Sequence, residues 1–404
     1  MRILFIHSSY KPNDLIGNWF THIRNHVRAD GGDAWFAIKF RHGGQQLDDI
    51  MVGDSISCGI HARMFDYLGL QDMWSVGATR KFLHKLEELR PDIIHCHVIN
   101  DCFLNMKIFA DYVNRKNIQV VWTFHDARVL TGGCPYPFNV PCNQWIVSCK
   151  KCPVKNGFLA PKHSWVNSIG FMHRYRKKTI GSIRNLTIAT PSAWMKGLVE
   201  QSYLKDKRCE VIHNGINLAV FQPVKENVRQ KYDIPNDRKI LLAVGNPLWQ
   251  LKGRKYLFQL IGELPNSYQF VLVGALERDL EQLNNYPNVL AFPRVDRDQL
   301  IEFYSAADLF VNPTLADNFP TVNLEAQACG SPVVAFDSDG TPETVASGGI
   351  VVPRQDYKAL KEAILQFNYE GARENAITFA RQCDQNVCVS QYLELYSDLY
   401  SHAH

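Results

Sequence analysis

Residues 316–330, ADNFPTVNLEAQACG, place two carboxylates, Asp317 and Glu325, on either side of a proline, with a glycine closing the run. DLFVNP reads as a strand ending at Pro313, LADNF as a loop, Thr321 to Cys329 as a helix, and Gly330 as its stop before the strand SPVVAFD. Pro320 stands where proline is tolerated at a helix start, because its missing N–H would have gone unbonded there. The free N–H groups of that first turn, reached through Asn318, Phe319 and Thr321, lie at the positive end of the helix dipole and suit an anion such as a diphosphate. Asp317 just before the turn and Glu325 about one turn inside it can face the same molecule, accepting hydrogen bonds from vicinal hydroxyls without acting as bases. A second reading stays open for an isolated pair: Asp317 caps the helix and Glu325 pairs with a surface lysine.

Three more groups of residues could do chemistry. Lys252 precedes Gly253 shortly after the apolar run LLAVG, which ends at Gly245; a lysine there can neutralise phosphate or simply be solvated. His125 and Asp126 end the run VVWTFHD, and a histidine at a strand end can donate to a hydroxyl or to developing charge near neutral pH. A structural histidine bonded to a loop carbonyl is the alternative. Cys134, Cys142, Cys149 and Cys152 follow as C-x7-C-x6-C-x2-C in a Pro- and Gly-rich loop, 132–153. The terminal CxxC is a common half of a tetrahedral zinc site; closed by four thiolates, such a site has no open position and would staple the loop beside His125. Free or disulfide-linked thiols are the other reading.

The elements that must position these residues alternate. Short β-branched or aromatic runs, bounded by Gly, Pro, Asn or Ser, interleave with longer amphipathic stretches, the pattern of βαβ units and parallel sheets. In the first half the runs are Arg2 to His7, Ala34 to Phe40, Asp92 to His97, Val120 to Phe124, Leu186 to Ala189 and Glu210 to His213. In the second they are Lys239 to Val244, Gln269 to Val273, Val289 to Phe292, Leu309 to Asn312, Pro332 to Phe336 and Ile350 to Val352. This predicts two doubly wound α/β domains in series, 1–213 and 214–384, followed by a closing helix within 385–404 on which Tyr392, Leu395, Tyr396 and Leu399 stand at helical spacing. Ligands of such sheets sit beyond the carboxyl ends of the strands, so strand-to-helix loops should carry the chemistry, in an interdomain cleft.

Composition narrows the class. With 46% hydrophobic and 21% charged residues and no low-complexity tract, the chain of 404 residues is globular rather than disordered. No apolar run approaches the roughly 20 residues that span a bilayer, and the start MRILFIHSSYKP reads as a buried strand rather than a signal peptide. Eleven cysteines then imply a reducing compartment. From Ile146 to Arg208 thirteen Lys and Arg stand against two acids, a balance of +11 in a chain of net +4. The segment Phe171-Met-His-Arg-Tyr-Arg-Lys-Lys suits anionic lipid headgroups; a solvated helix face is the alternative.

Asp317-x7-Glu325 followed by Ala326-x-Ala328-Cys329-Gly330 resembles the E-x7-E signature of family 4 glycosyltransferases, retaining enzymes of the GT-B fold, in which two Rossmann-like domains face one another. The resemblance covers most of the chain: the MRIL start, Asn214-Gly215-Ile216, Gly245 with Lys252-Gly253 after a strand, and the Tyr-rich C-terminal helix. D-N-F-P in this loop and a cysteine cluster in the first domain look like the branch that builds bacterial surface polysaccharides. The resemblance implies that Glu325 grips the nucleotide ribose, that Asp317, one methylene shorter than the usual Glu, reaches the donor hexose, and that Lys252 meets the diphosphate. It implies that His125 stands close to the donor sugar and that Gly17, in the loop after the first strand, lies near the diphosphate. Where the family has an arginine after the glycine of Gly245, this chain has Asn246; Arg254 is the candidate substitute, and a site with fewer positive charges is the alternative.

The expected function is therefore transfer of a sugar from a UDP- or GDP-sugar to a hydroxyl of a glycan or polyprenyl-diphosphate-linked acceptor, in the cytoplasm and at the inner membrane face. The second domain would bind the donor, the first the acceptor. No cofactor is expected for the chemistry beyond a structural zinc, and no nucleic acid as partner. A nucleotide-sugar epimerase on the same frame and a zinc and nucleic-acid-binding module are the alternatives; the basic run carries no groove-reading motif for the latter. GxSxG, Walker and GxGxxG motifs are absent from the expected strand ends.

Overall fold

A computed structural model describes residues 1–9, 15–40, 50–137, 142–150, 152–153, 166–225, 227–245 and 251–403. The chain forms two compact units, Met1–Ile212 with Val389–His404, and His213–Cys388.

In the first unit, strands β1 (Arg2–Ser9), β2 (Asp33–Phe40), β3 (Ile50–Met51), β4 (Ile93–Cys96), β5 (Gln119–Thr123), β6 (Leu186–Thr190) and β7 (Arg208–Val211) pair in the order β3-β2-β1-β4-β5-β6-β7. Every pairing is parallel. Helices α1 (Leu15–Ala29), α2 (Ser55–Leu68), α3 (Val76–Leu89), α4 (Met106–Lys116), α5 (Gln144–Val147), α6 (Ile169–Thr179) and α7 (Ala193–Gln201) connect them. The central strands are largely apolar because helices cover both faces, and Ile3, Leu4, Phe5, Ile6, Ile93, Ile94, Val120 and Val121 have no exposed surface. The two-residue β3 was not among the predicted runs; it is too short to carry a period.

The second unit repeats the scheme with β8 (Lys239–Val244), β9 (Tyr268–Val273), β10 (Val289–Phe292), β11 (Leu309–Asn312), β12 (Val333–Phe336) and β13 (Gly349–Val352) in the order β10-β9-β8-β11-β12-β13, all parallel. Its helices are α8 (Val228–Lys231), α9 (Arg254–Glu263), α10 (Glu277–Leu283), α11 (Arg297–Ala306), α12 (Thr321–Ala328), α13 (Tyr357–Leu365) and α14 (Ala372–Ala380). Strand order reverses direction between β1 and β4 in one unit and between β8 and β11 in the other, and these switch points open the crevices where α/β sheets bind ligands.

The last helix, α15 (Gln385–Ala403), starts in the second unit and from Val389 belongs to the first. Its apolar stripe buries Tyr392 and Tyr396. Tyr396 Oη lies 2.5 Å from His95 Nδ1 on β4, and Tyr392 Oη 2.9 Å from Thr123 Oγ1 on β5. Asp398 forms an ion pair with Arg208 on β7. Among the described residues, no helix is long and apolar enough to cross a membrane.

Candidate functional site

At the switch point of the second unit, the loop after β8 and the loop after β11 are bonded to each other. Leu315 N donates to Leu251 O at 2.8 Å, and Lys252 Nζ forms an ion pair with Asp317 Oδ2, both side chains largely shielded from water. Gly253 makes this approach feasible: its φ is +84°, and a Cβ there would lie 2.0 Å from Pro313 O. Asp317 Oδ1 accepts from Phe319 N at 3.3 Å, an Asx turn that leads the chain into α12. Pro320, with φ −70°, caps α12, and its carbonyl accepts from Asn323 N at 3.1 Å. Gly330 ends the helix region at φ +95°, where a Cβ would press within 2.7 Å of the Arg373 guanidinium carbon.

Glu325 lies one turn into α12, half-buried. Its Oε1 accepts from Thr321 Oγ1 at 3.4 Å and its Oε2 from Tyr304 Oη at 3.3 Å. Burial pushes its carboxyl up to about 7, against the opposing pull of those two hydroxyls. Beneath it, Asn312 Nδ2 donates to Asn323 Oδ1 at 2.7 Å, Asn323 Nδ2 to Thr344 Oγ1 at 2.8 Å, and Gln327 Nε2 to Thr344 O at 2.7 Å. This buried polar chain fixes the rotation of α12. Phe319 stacks on His213 with centroids 5.0 Å apart, and Asn318 is buried beside it.

Two donor-site expectations fall elsewhere. Arg254 opens α9 and turns to Asp279 on α10, donating through both Nε (3.0 Å) and Nη2, with its guanidinium over Phe258 at 4.4 Å. Its guanidinium is engaged there by a buried carboxylate. Asn246 lies outside the described residues, while Gly245 directly follows β8, its N–H on Val273 O at 2.7 Å. Gly17, expected in a loop, sits instead in the first turn of α1, where its carbonyl accepts from Thr21 Oγ1 at 2.8 Å. The helical spacing of Phe20, Ile23 and Val27 is the signal for that.

Asp339, in the loop after β12, was not anticipated. It holds a left-handed backbone (φ 54°), unusual for a residue with a Cβ, and its side chain is 2% exposed. Gly340 N donates to Asp317 O at 3.1 Å, tying the two loops together. Burial raises the Asp339 carboxyl to about 7, although Arg354 Nη1 stands 3.9 Å from its Oδ1.

In the first unit, histidines gather at the carboxyl-terminal ends of β1, β4 and β5. His125 Nε2 lies 2.8 Å from Nδ1 of His97, the rings stacked at 5.1 Å. His95 bridges Tyr396 Oη and Thr123 Oγ1. Burial, then the charge of His7, lowers His125 to about 4; burial lowers His97 well below the usual range, so both imidazoles are neutral at physiological pH. Asp126 turns away to Arg128, accepting from its Nε at 2.8 Å. The loop that follows is held by buried Arg176 of α6, which pairs with Asp72 at 2.6 Å and donates to the carbonyls of Arg128 and Thr131 at 2.7 and 3.1 Å.

Cys134, Cys142, Cys149 and Cys152 share one neighbourhood. Burial lifts Cys134 to about 12 and Cys149 to about 11, and the proximity of the other thiols adds to both. Among the described residues no three His, Cys, Asp or Glu come together as a metal-holding group.

Two family models match the chain: Glycosyltransferase Family 4 over residues 58–220 and Glycosyl transferases group 1 over residues 224–382. Both describe sugar transfer, against the epimerase and nucleic-acid alternatives. The chain is 34% identical over 152 residues to D-inositol 3-phosphate glycosyltransferase of Mycolicibacterium smegmatis, covering 35% of each chain. It is 31% identical over 209 residues to N,N'-diacetylbacillosaminyl-diphospho-undecaprenol alpha-1,3-N-acetylgalactosaminyltransferase of Campylobacter jejuni, covering 48% of this chain and 54% of the relative. The matches thus span about a third to a half of the length of these curated relatives. Anabaena Alr3699/HepE, solved in complex with UDP-glucose, shares the fold with a TM-score of 0.65 and 17% identity over 98% of this chain and 100% of that one.

Proposed function

The chain belongs to the family 4 glycosyltransferases of GT-B fold, and from that premise we propose that it is a retaining hexosyltransferase of surface polysaccharide biosynthesis. The donor is a nucleotide-diphosphate sugar, and the acceptor is a hydroxyl of a glycan or of a lipid-linked saccharide. The observation that carries this reading is the junction at the β8/β11 switch point, where Lys252, Asp317 and the amino end of α12 with Glu325 meet. An ammonium and free helix N–H groups are the partners a diphosphate needs. A carboxylate already bonded to hydroxyls through Tyr304 and Thr321 is the partner a ribose needs.

In this reading Lys252 leaves Asp317 for the diphosphate and neutralises the leaving group, and Asp317, freed, accepts from a hydroxyl of the hexose. Glu325 accepts from the ribose, and residues 318–321 present the first turn of α12 to the phosphates. The bond from the anomeric carbon to the phosphate oxygen breaks while a bond to the acceptor oxygen forms on the same face. The acceptor proton passes to the departing phosphate oxygen, so the protein supplies position and charge stabilisation rather than a nucleophile. His125, neutral, hydrogen-bonds the sugar.

The solved complex of Alr3699/HepE supports a UDP-sugar as the first donor to try, and the Campylobacter relative supports an undecaprenyl-diphosphate-linked acceptor. Action at the inner membrane face is supported by α6, which exposes Phe171, Arg174, Lys177 and Lys178; sedimentation with anionic vesicles at low salt checks it. The reading extends to a structural zinc held by the thiolates of Cys134, Cys142, Cys149 and Cys152. About one zinc per chain by elemental analysis checks it, and a metal-free active chain removes it. The function itself is tested by thermal-shift screening against UDP, GDP and their sugars, followed by transfer to a lipid-linked acceptor. A ligand that binds the folded chain raises its melting temperature; no response to any nucleotide sugar sinks the reading.

A further inference from the structure

The first unit contains a buried imidazole pair whose second member nothing above has put to use. His97, just past β4, is 2% exposed, and its backbone is fixed at both ends: its N–H donates to Ile6 O at 3.0 Å, and its carbonyl accepts from Trp122 Nε1 at 2.9 Å. Its ring is packed between His95, with centroids 4.3 Å apart, and Phe20, 4.6 Å away and nearly perpendicular. Nδ1 meets His125 Nε2 at 2.8 Å, and Nε2 is buried without a hydrogen-bond partner among the described residues.

A neutral pair in this geometry has two arrangements. In one, His125 donates from Nε2 and His97 must carry its own proton on Nε2. That N–H would be buried among the neighbouring rings of Phe20 and His95, a weak substitute for an acceptor. In the other, His97 donates from Nδ1, and its Nε2 is left as a bare lone pair. Orphaned buried N–H groups are rarer in proteins than under-used acceptors, so the second arrangement wins. It forces the His125 proton onto Nδ1. We propose that His97 is a positioning residue that holds His125 as its Nδ1–H tautomer, so that His125 meets the donor sugar as a hydrogen-bond donor and not as a base. The consequence for the sugar rests on the functional reading above; the tautomer does not.

The test is chosen to separate the two. Long-range proton–nitrogen correlation spectra of protein labelled with 15N-histidine, assigned through single histidine variants, report which nitrogen of His125 is protonated without any substrate. In the wild type we expect Nδ1. In His97→Phe, which keeps a ring but no donor, we expect His125 to revert to the Nε2–H form, with kcat for transfer down on the order of a hundredfold and donor KM unchanged. His97→Asn, whose amide nitrogen can occupy the Nδ1 position, should restore the Nδ1–H tautomer and most of kcat. A wild-type His125 protonated on Nε2, or a tautomer indifferent to His97→Phe, overturns the proposal. The expected tautomers in a chain that transfers no sugar uphold the positioning role and refute the functional reading instead.

Discussion

Replacing Glu325 by Gln should stabilise the protein, and only above a defined pH. The folded chain holds the Glu325 proton up to about 7 because ionisation would place charge in a poorly hydrated pocket, whereas the reference value is 4.5. Below pH 4.5 the group is protonated in both folded and unfolded states and contributes no penalty. As pH rises from there to about 7 the unfolded chain ionises freely while the folded chain resists, so stability falls through that window and is flat above it. The difference of about 2.5 pKa units corresponds to a ceiling of about 3.4 kcal/mol at about 1.36 per unit. Partial access of water to the carboxylate reduces this to roughly 2 kcal/mol. The amide keeps an acceptor for Tyr304 and a donor for Thr321, so the substitution leaves neither hydroxyl stranded. Thermal denaturation of the two proteins across this range should show melting curves that coincide near pH 4.5 and separate by roughly 5 °C at pH 8. Asp339 titrates in the same window but is present in both proteins, and its contribution cancels in the difference. A gap that does not vary with pH, or a variant less stable than wild type at pH 8, refutes the reasoning. The same titration gives a functional prediction: the ionised fraction needed to accept from a ribose drops about tenfold from pH 8 to pH 6, so nucleotide affinity should fall about tenfold in the wild type and stay flat in the variant.

Lys252→Ala should lower kcat/KM for transfer by about a hundredfold or more without changing the far-UV spectrum, and wild-type turnover would contradict its assignment to the diphosphate. Arg176→Ala leaves Asp72 charged and buried; urea unfolding should show a loss of about 3–5 kcal/mol, and a loss below about 1 kcal/mol would mean the pair is dispensable. Tyr396→Phe removes the hydrogen bond to His95 while keeping the ring, and should cost about 1 kcal/mol in the same assay; a neutral result would mean that this hydrogen bond does not help to hold α15.

The parallel runs were legible because strands covered on both faces must be apolar along their whole length, and because Gly, Pro and Asn interrupt them at loops. The opening of α12 was legible for a different reason: Pro320 and Gly330 are local choices that state their own backbone angles. What the sequence withheld depends on partners distant in the chain. Nothing around Arg254 announces that Asp279, on the next helix, would claim it. Glu325 looks like any helix acid until Tyr304 and the buried amide chain below it are in place. The His97–His125 pair exists because β4 and β5 are adjacent and in register, Cys96 opposite Trp122, so each strand delivers the histidine beyond its end to the same rim. A histidine closing one predicted run, at His97, and another just past the next, at His125, were the available signal. Asp339 had none, since its left-handed backbone is imposed by the two loops it joins.

The passage of α15 from one unit into the other makes the last residues of the chain part of its first half. Residues 213–388 are contiguous, whereas the unit of the first 212 residues is completed only by Tyr392, Tyr396 and Asp398, which reach His95, Thr123 and Arg208. Trimming the tail from Val389 onward should therefore bare groups on the half of the chain it does not follow, and leave the half it does follow intact.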